Sequence, residues 1–152
     1  MKIHFLYGTE TGNSEMLCED MQAELGDAVE SRISNMGDVG PTELDPSEFH
    51  VFVTSTYGNG DLPQTAVSFT DTLEADKPDL SNIQFAVFGL GDMVFSGTFA
   101  HGSKTLAEQM VACKATMIGE RLTHDASGHE MPEDIGLPWL STVLDQLKAQ
   151  AA

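Results

Sequence analysis

The chain has 152 residues, with 24 acidic and 7 basic side chains and a formal net charge of −17. That length holds one domain, read as spanning residues 1–152, and a hydrophobic share of 41% is enough for a packed core. The charge excludes a nucleic-acid binder that works by phosphate neutralisation and disfavours docking on an anionic membrane. Cys18 and Cys113 are too few and too far apart for a CxxC pair or a small disulfide scaffold, so both read as free thiols of a cytoplasmic protein. Neither a signal peptide nor a membrane-spanning run is visible in the sequence.

In chain order, short β-like runs alternate with helical stretches. Residues 3–7 form a compact β-type run, and residues 14–25 follow as a helix. There Met16, Leu17, Met21 and Leu25 fall at helical spacing, and Asn13 or Ser14 can cap the start. Residues 28–33 are a weaker, polar strand candidate, and 49–54 a strong one. The pattern continues with a helix at 66–75, a strand at 83–88, a helix at 103–113 and a strand at 116–122. A last helix is predicted over 138–150, with Pro138 in its first turn and Trp139, Leu140, Val143, Leu144 and Leu147 as its apolar stripe. Such alternation predicts an α/β fold with a parallel sheet covered on both faces. Ligands of such sheets bind outside the strands' carboxyl ends, where strand order reverses.

The segments after strands one, three and four are therefore the informative ones. The first is Gly8-Thr9-Glu10-Thr11-Gly12-Asn13-Ser14, with three hydroxyls and two glycines leading into a helix start. It is a phosphate cradle built from dipoles and lacks the lysine of a P-loop. An ordinary glycine-rich turn with a helix cap is the alternative for this segment alone. The second, Thr54-Ser55-Thr56-Tyr57-Gly58-Asn59-Gly60-Asp61, offers Tyr57 as a face for a flat heterocycle. The third, Gly89-Leu90-Gly91-Asp92-Met93-Val94-Phe95 with Phe99 beyond, adds aromatics at the same end of the sheet. Gly89 and Gly91 do not make a dinucleotide fingerprint, since Val94 stands at its third glycine position.

Together these segments resemble the flavodoxin family. Thr9-Glu10-Thr11-Gly12-Asn13-Ser14 is similar to its phosphate motif. Tyr57-Gly58-Asn59-Gly60-Asp61 resembles the loop of the FMN domain in diflavin reductases, and Gly89-Leu90-Gly91-Asp92 resembles the third flavin-contacting segment. Lys77-Pro78-Asp79-Leu80-Ser81 and Met131-Pro132-Glu133-Asp134 look closer to short MioC-type flavodoxins linked to biotin synthesis. The resemblance implies a doubly wound five-stranded parallel sheet of order 2-1-3-4-5, binding FMN without a covalent bond. It implies that Thr9, Glu10, Thr11, Gly12, Asn13 and Ser14 hold the phosphate and that Tyr57 and Phe95 flank the ring. Ser55, Thr56, Gly58, Asn59, Gly60, Leu90, Gly91, Asp92 and Phe99 complete the implied contacts. Phe95 stands where the family commonly has tyrosine. The Gly58–Asn59 peptide resembles the one that turns its carbonyl toward flavin N5–H on reduction.

The implied role is a monomeric electron carrier rather than an enzyme, docked electrostatically to a basic flavodoxin or ferredoxin reductase and to a redox acceptor. The alternative is a small NAD(P)H-dependent flavin or quinone reductase, for which no second phosphate loop or basic patch is visible. Three other readings fail on residues. Gly12-Asn13-Ser14-Glu15-Met16 lacks the closing glycine of a nucleophile elbow, Thr54-Ser55-Thr56 has no phosphoacceptor aspartate, and neither cysteine is followed by the arginine of a phosphatase loop. His124, Asp125 and His129, with Glu130, Glu133 and Asp134 close by, read as a solvated acidic loop, and no metal site is expected.

Overall fold

The computed structural model describes residues 2–8, 13–55, 64–91, 101–125 and 131–151. Among these residues six strands form one sheet: β1 (Lys2–Gly8), β2 (Glu30–Asn35), β3 (Phe49–Ser55), β4 (Gln84–Gly91), β5 (Thr116–Met117) and β6 (Leu122–Asp125). Every pairing is parallel, in the order β2-β1-β3-β4-β5, and β6 also pairs with β4. The predicted order is thus observed, with the fifth position filled by two short strands instead of one run over 116–122. Among the described residues four helices cover the sheet: α1 (Asn13–Leu25), α2 (Gln64–Asp76), α3 (His101–Ala112) and α4 (Pro132–Ala151).

Strands buried on both faces need apolar side chains at successive positions. Ile3, Phe5, Val51, Val53 and Phe88 pack with Leu17, Cys18 and Met21 of α1 and with Trp139, Leu140 and Val143 of α4. On the other face Leu6, Phe52, Phe85 and Val87 pack with Phe69 and Leu73 of α2 and with Leu106 and Met110 of α3. Both thiols, Cys18 and Cys113, are free and buried. Met16, read as part of the inward face of α1, is instead 61% exposed; Cys18 takes the inward place beside Leu17.

The break in the fifth position has a local cause. The ladder holds as far as Ile118, whose N–H donates to the Phe85 carbonyl at 2.8 Å. Gly119 then takes a left-handed φ of +74°, which turns the chain out of the sheet. The strand resumes at Leu122, paired with Phe88. Trp139 pins the excursion by donating its indole N–H to the Glu120 carbonyl at 2.9 Å.

α4 starts at Pro132, ahead of the residue 138 that the sequence pattern suggests, and Pro138 lies inside it rather than in its first turn. Pro132 occupies the first helical position, where a missing N–H costs nothing. The Asp134 carboxylate accepts the Met131 N–H at 3.1 Å, one half of a capping box. Those local signals outrank Pro138, which sits on the exposed side of the helix. β2 begins at Glu30 rather than at residue 28, because Gly26–Ala28 form a 3-10 turn.

Candidate functional site

The register aligns the strands' carboxyl ends at one edge. Gly8 is opposite Thr54, Thr54 opposite Gly89, Ser55 opposite Leu90 and Gly91 opposite Asp125. The order reverses between β1 and β3, so the crevice where such folds bind ligands opens at the carboxyl ends of these two strands, at Gly8 and Ser55. β4 ends at the same edge with Gly91, and α1 begins at Asn13.

Of the sequence-predicted site residues, Thr9, Glu10, Thr11, Gly12, Thr56, Tyr57, Gly58, Asn59, Gly60, Asp92, Phe95 and Phe99 lie outside the described residues. The others fall at this edge. Asn13 is the first residue of α1. Ser14 follows in the first turn with its side chain wholly buried. Ser55 ends β3. Leu90 and Gly91, expected in a loop, instead continue β4, because β6 pairs with it as far as Gly91. His124 is likewise a buried strand residue opposite Leu90 rather than part of a solvated loop, while Glu133 and Asp134 open α4.

The structure adds residues that no motif singles out. A Cβ on Gly8 would stand 2.8 Å from Ala66 Cβ, so only glycine lets β1 end this close to the start of α2. Tyr7, one residue earlier, donates its phenol to the Glu15 carboxylate in the first turn of α1 and also meets the Asn35 side chain. The Glu15 carboxylate, then burial, pushes the phenol up to about 12. Asn35 Oδ1 accepts the Gly37 N–H at 2.8 Å, which ties the 3-10 turn Met36–Asp38 to the end of β2. Nothing in the sequence links Tyr7, Glu15 and Asn35, because their contact comes from packing across three elements.

These residues fit the phosphate end of a flavin nucleotide. A helix start bears unpaired N–H groups and the positive end of the helix dipole. A buried hydroxyl lies in the first turn, and a close-packed glycine precedes the loop.

The flavodoxin family model matches residues 5–139, and the chain belongs to that family. A cysteine-to-serine mutant of a flavodoxin from Pseudomonas aeruginosa superposes with a TM-score of 0.83 at 27% identity, covering 97% of this chain and 99% of that one. Protein MioC of Escherichia coli O157:H7 is 28% identical over 146 residues, which are 96% of this chain and 98% of MioC. NADPH oxidoreductase A of Dictyostelium discoideum is 36% identical over 126 residues, 81% of this chain but 20% of that protein. The chain thus spans a small part of the multidomain relatives and nearly the whole of MioC. Family membership makes FMN the cofactor.

Proposed function

We propose that the chain is an electron carrier, one that holds FMN at the carboxyl edge of its sheet and passes single electrons from a reductase to an acceptor protein. The observation that carries this reading is the meeting of three strand ends and the start of α1 at one edge, at the reversal of strand order. FMN, when bound, supplies reversible one-electron chemistry.

The chain's own residues bind and orient. Thr9, Thr11 and Ser14 are assigned to the phosphate, together with the N–H groups of the first turn of α1. A helix end contributes up to about 2 kcal/mol in a sheltered geometry, and each hydrogen bond to a charged group about 1.5–3 kcal/mol. Tyr57 and Phe95 are assigned to the ring faces, and residues 58–60 and 90–92 to its edge. The Tyr7 phenol holds its proton against the Glu15 carboxylate and so keeps the first turn of α1 in place beside the phosphate.

Glu19, Asp20 and Glu24 on α1 and Asp71, Glu74 and Asp76 on α2 are exposed acids. They support electrostatic docking of a basic reductase and a basic acceptor. Two buried thiols are consistent with a reducing, cytoplasmic setting.

The test compares FMN with riboflavin. Thr11→Ala is expected to weaken FMN at least several-fold and to leave riboflavin nearly unchanged; equal losses would remove the phosphate assignment. NADPH alone should not bleach the bound flavin, whereas NADPH with a flavodoxin reductase should, at a rate that falls with salt as the Debye length shrinks toward about 3 Å at 1 M. Bleaching by NADPH alone would make the chain a reductase instead.

A further inference from the structure

At the amino ends of the strands, opposite the flavin edge, lies a side-chain cluster that electron transfer does not use. His4 on β1 and His50 on β3 are register partners, with ring centroids 5.8 Å apart. Both are buried, at 1% and 0% exposure. Two residues along each strand, the same face carries Leu6 and Phe52, which belong to the apolar core. Two imidazoles therefore stand in a row where core packing alone would select hydrocarbon.

Their polar atoms are poorly satisfied. His4 Nε2 lies 2.8 Å from Ser34 Oγ, and His4 Nδ1 has no hydrogen-bond partner. Neither ring nitrogen of His50 meets a partner at hydrogen-bonding geometry, although the Gln84 carbonyl lies near enough to favour its proton. Buried polar atoms of this kind are rare in native folds, and an unseen water or ion is a standard reason for them. Glu48, just ahead of β3, brings a carboxylate to the pair, so one donor atom from each of His4, Glu48 and His50 lies within 4.8 Å of the other two.

We propose that His4, Glu48 and His50 bind a divalent first-row transition metal ion, with zinc as the test case. Two imidazoles and a carboxylate are a donor set zinc uses with a fourth position left open, and imidazole suits nickel and copper as well. Burial first, then the Arg32 charge, lowers His4 to about 4, and burial also lowers His50, so both rings offer lone pairs at neutral pH.

Glu48 is already held by Arg32, through Nε at 2.9 Å and Nη2 at 2.7 Å. A carboxylate has about four acceptor sites and the guanidinium takes two, so Glu48 can serve both. Arg32 and Ser34 then orient Glu48 and His4 from behind, as partners of metal ligands commonly do. Glu48 also borders an open hollow of about 320 Å³ together with Lys2, Arg32 and Asp45, so the carboxylate is the ligand nearest to solvent. Tetrahedral ligands at about 2.0–2.1 Å from zinc stand about 3.3 Å from one another. The three donor atoms, within 4.8 Å of one another, close to that spacing by rotation of the two imidazoles and movement of the Glu48 side chain.

The experiment is zinc titration of the chelator-treated, flavin-loaded protein by calorimetry, for the parent, Glu48→Gln and His50→Asn. The expected result is one site per chain whose affinity falls at least ten-fold in each variant. The surface acids bind zinc weakly in all three proteins, which is why the variants decide. Because His50→Asn lies in the core, the unsubstituted protein gives a second readout. Zinc should shift the imidazole ¹⁵N resonances of two of the five histidines, and sequential assignment should show these to be His4 and His50, with the likewise buried His124 unshifted. No saturable site in the parent, equal affinity in Glu48→Gln, or shifts confined to the other histidines would overturn the proposal.

Discussion

Replacing Gly8 by alanine tests how tightly the flavin edge is built. The added Cβ would stand 2.8 Å from Ala66 Cβ, 3.2 Å from Thr54 Oγ1 and 3.4 Å from Met36 Sδ. Carbon atoms in good contact are about 3.5–4.0 Å apart. Met36 Sδ belongs to a flexible side chain, but Ala66 Cβ is fixed to the backbone of α2. The start of α2 must therefore move. Overpacking of a filled core costs about 1–3 kcal/mol, and at this chain length each kcal/mol lowers Tm by about 2–4 °C. The expected loss is thus about 2–12 °C in Tm, with a matching fall in the urea midpoint at fixed FMN concentration.

Trp139 is the only tryptophan and is 8% exposed, with its ring 5.4 Å from Phe88, so its fluorescence reports the loss of this core. The decisive variant is the double substitution Gly8→Ala with Ala66→Gly, which removes the colliding methyl. Ala66→Gly alone should cost about 1 kcal/mol or more in helix propensity and packing. In combination with Gly8→Ala it should recover about 1 kcal/mol relative to the sum of the single changes. Additivity within about 0.5 kcal/mol, or an unchanged midpoint for Gly8→Ala, would refute the close approach as the reason for glycine.

Two further expectations rest on single contacts. Gly119 has φ +74°, and a methyl group added there would stand 3.0 Å from Val143 Cγ2, whereas Gly26 has φ +57° and open space around it. Alanine at either site should cost about 1–2 kcal/mol for backbone strain, and thermal melts should show the greater loss at Gly119; equal losses would mean that Val143 yields freely. The Tyr7 phenol, raised to about 12 by Glu15 and burial, should give a late phenolate absorbance step that Tyr7→Phe removes. The folded state holds that proton more tightly than the unfolded chain, so the stability gained is complete below about pH 10 and is lost as pH rises from about 10 to 12. A titration curve unaffected by Tyr7→Phe would refute the Glu15 contact.

The central strands and the position of the ligand edge follow from the sequence alone. β1, β3 and β4 are buried on both faces, so each is written as a nearly unbroken apolar run, and alternation with helices then dictates parallel pairing. The flavodoxin-like segments are equally legible, because a phosphate loop is contiguous and starts at a strand end. The sequence is less decisive where burial is one-sided or a local cap competes with periodicity. β2 is polar, the fifth position is broken at Gly119, and Pro132 with Asp134 starts α4 ahead of its apolar stripe. Tertiary structure alone decides the contacts between remote residues. Gly8 meets Ala66, Tyr7 meets Glu15 and Asn35, and His4 meets His50 only because parallel strands in the order 2-1-3 set β1 between β2 and β3. Such contacts leave no periodic trace, since periodicity records which face of an element is buried and not which distant residue covers it.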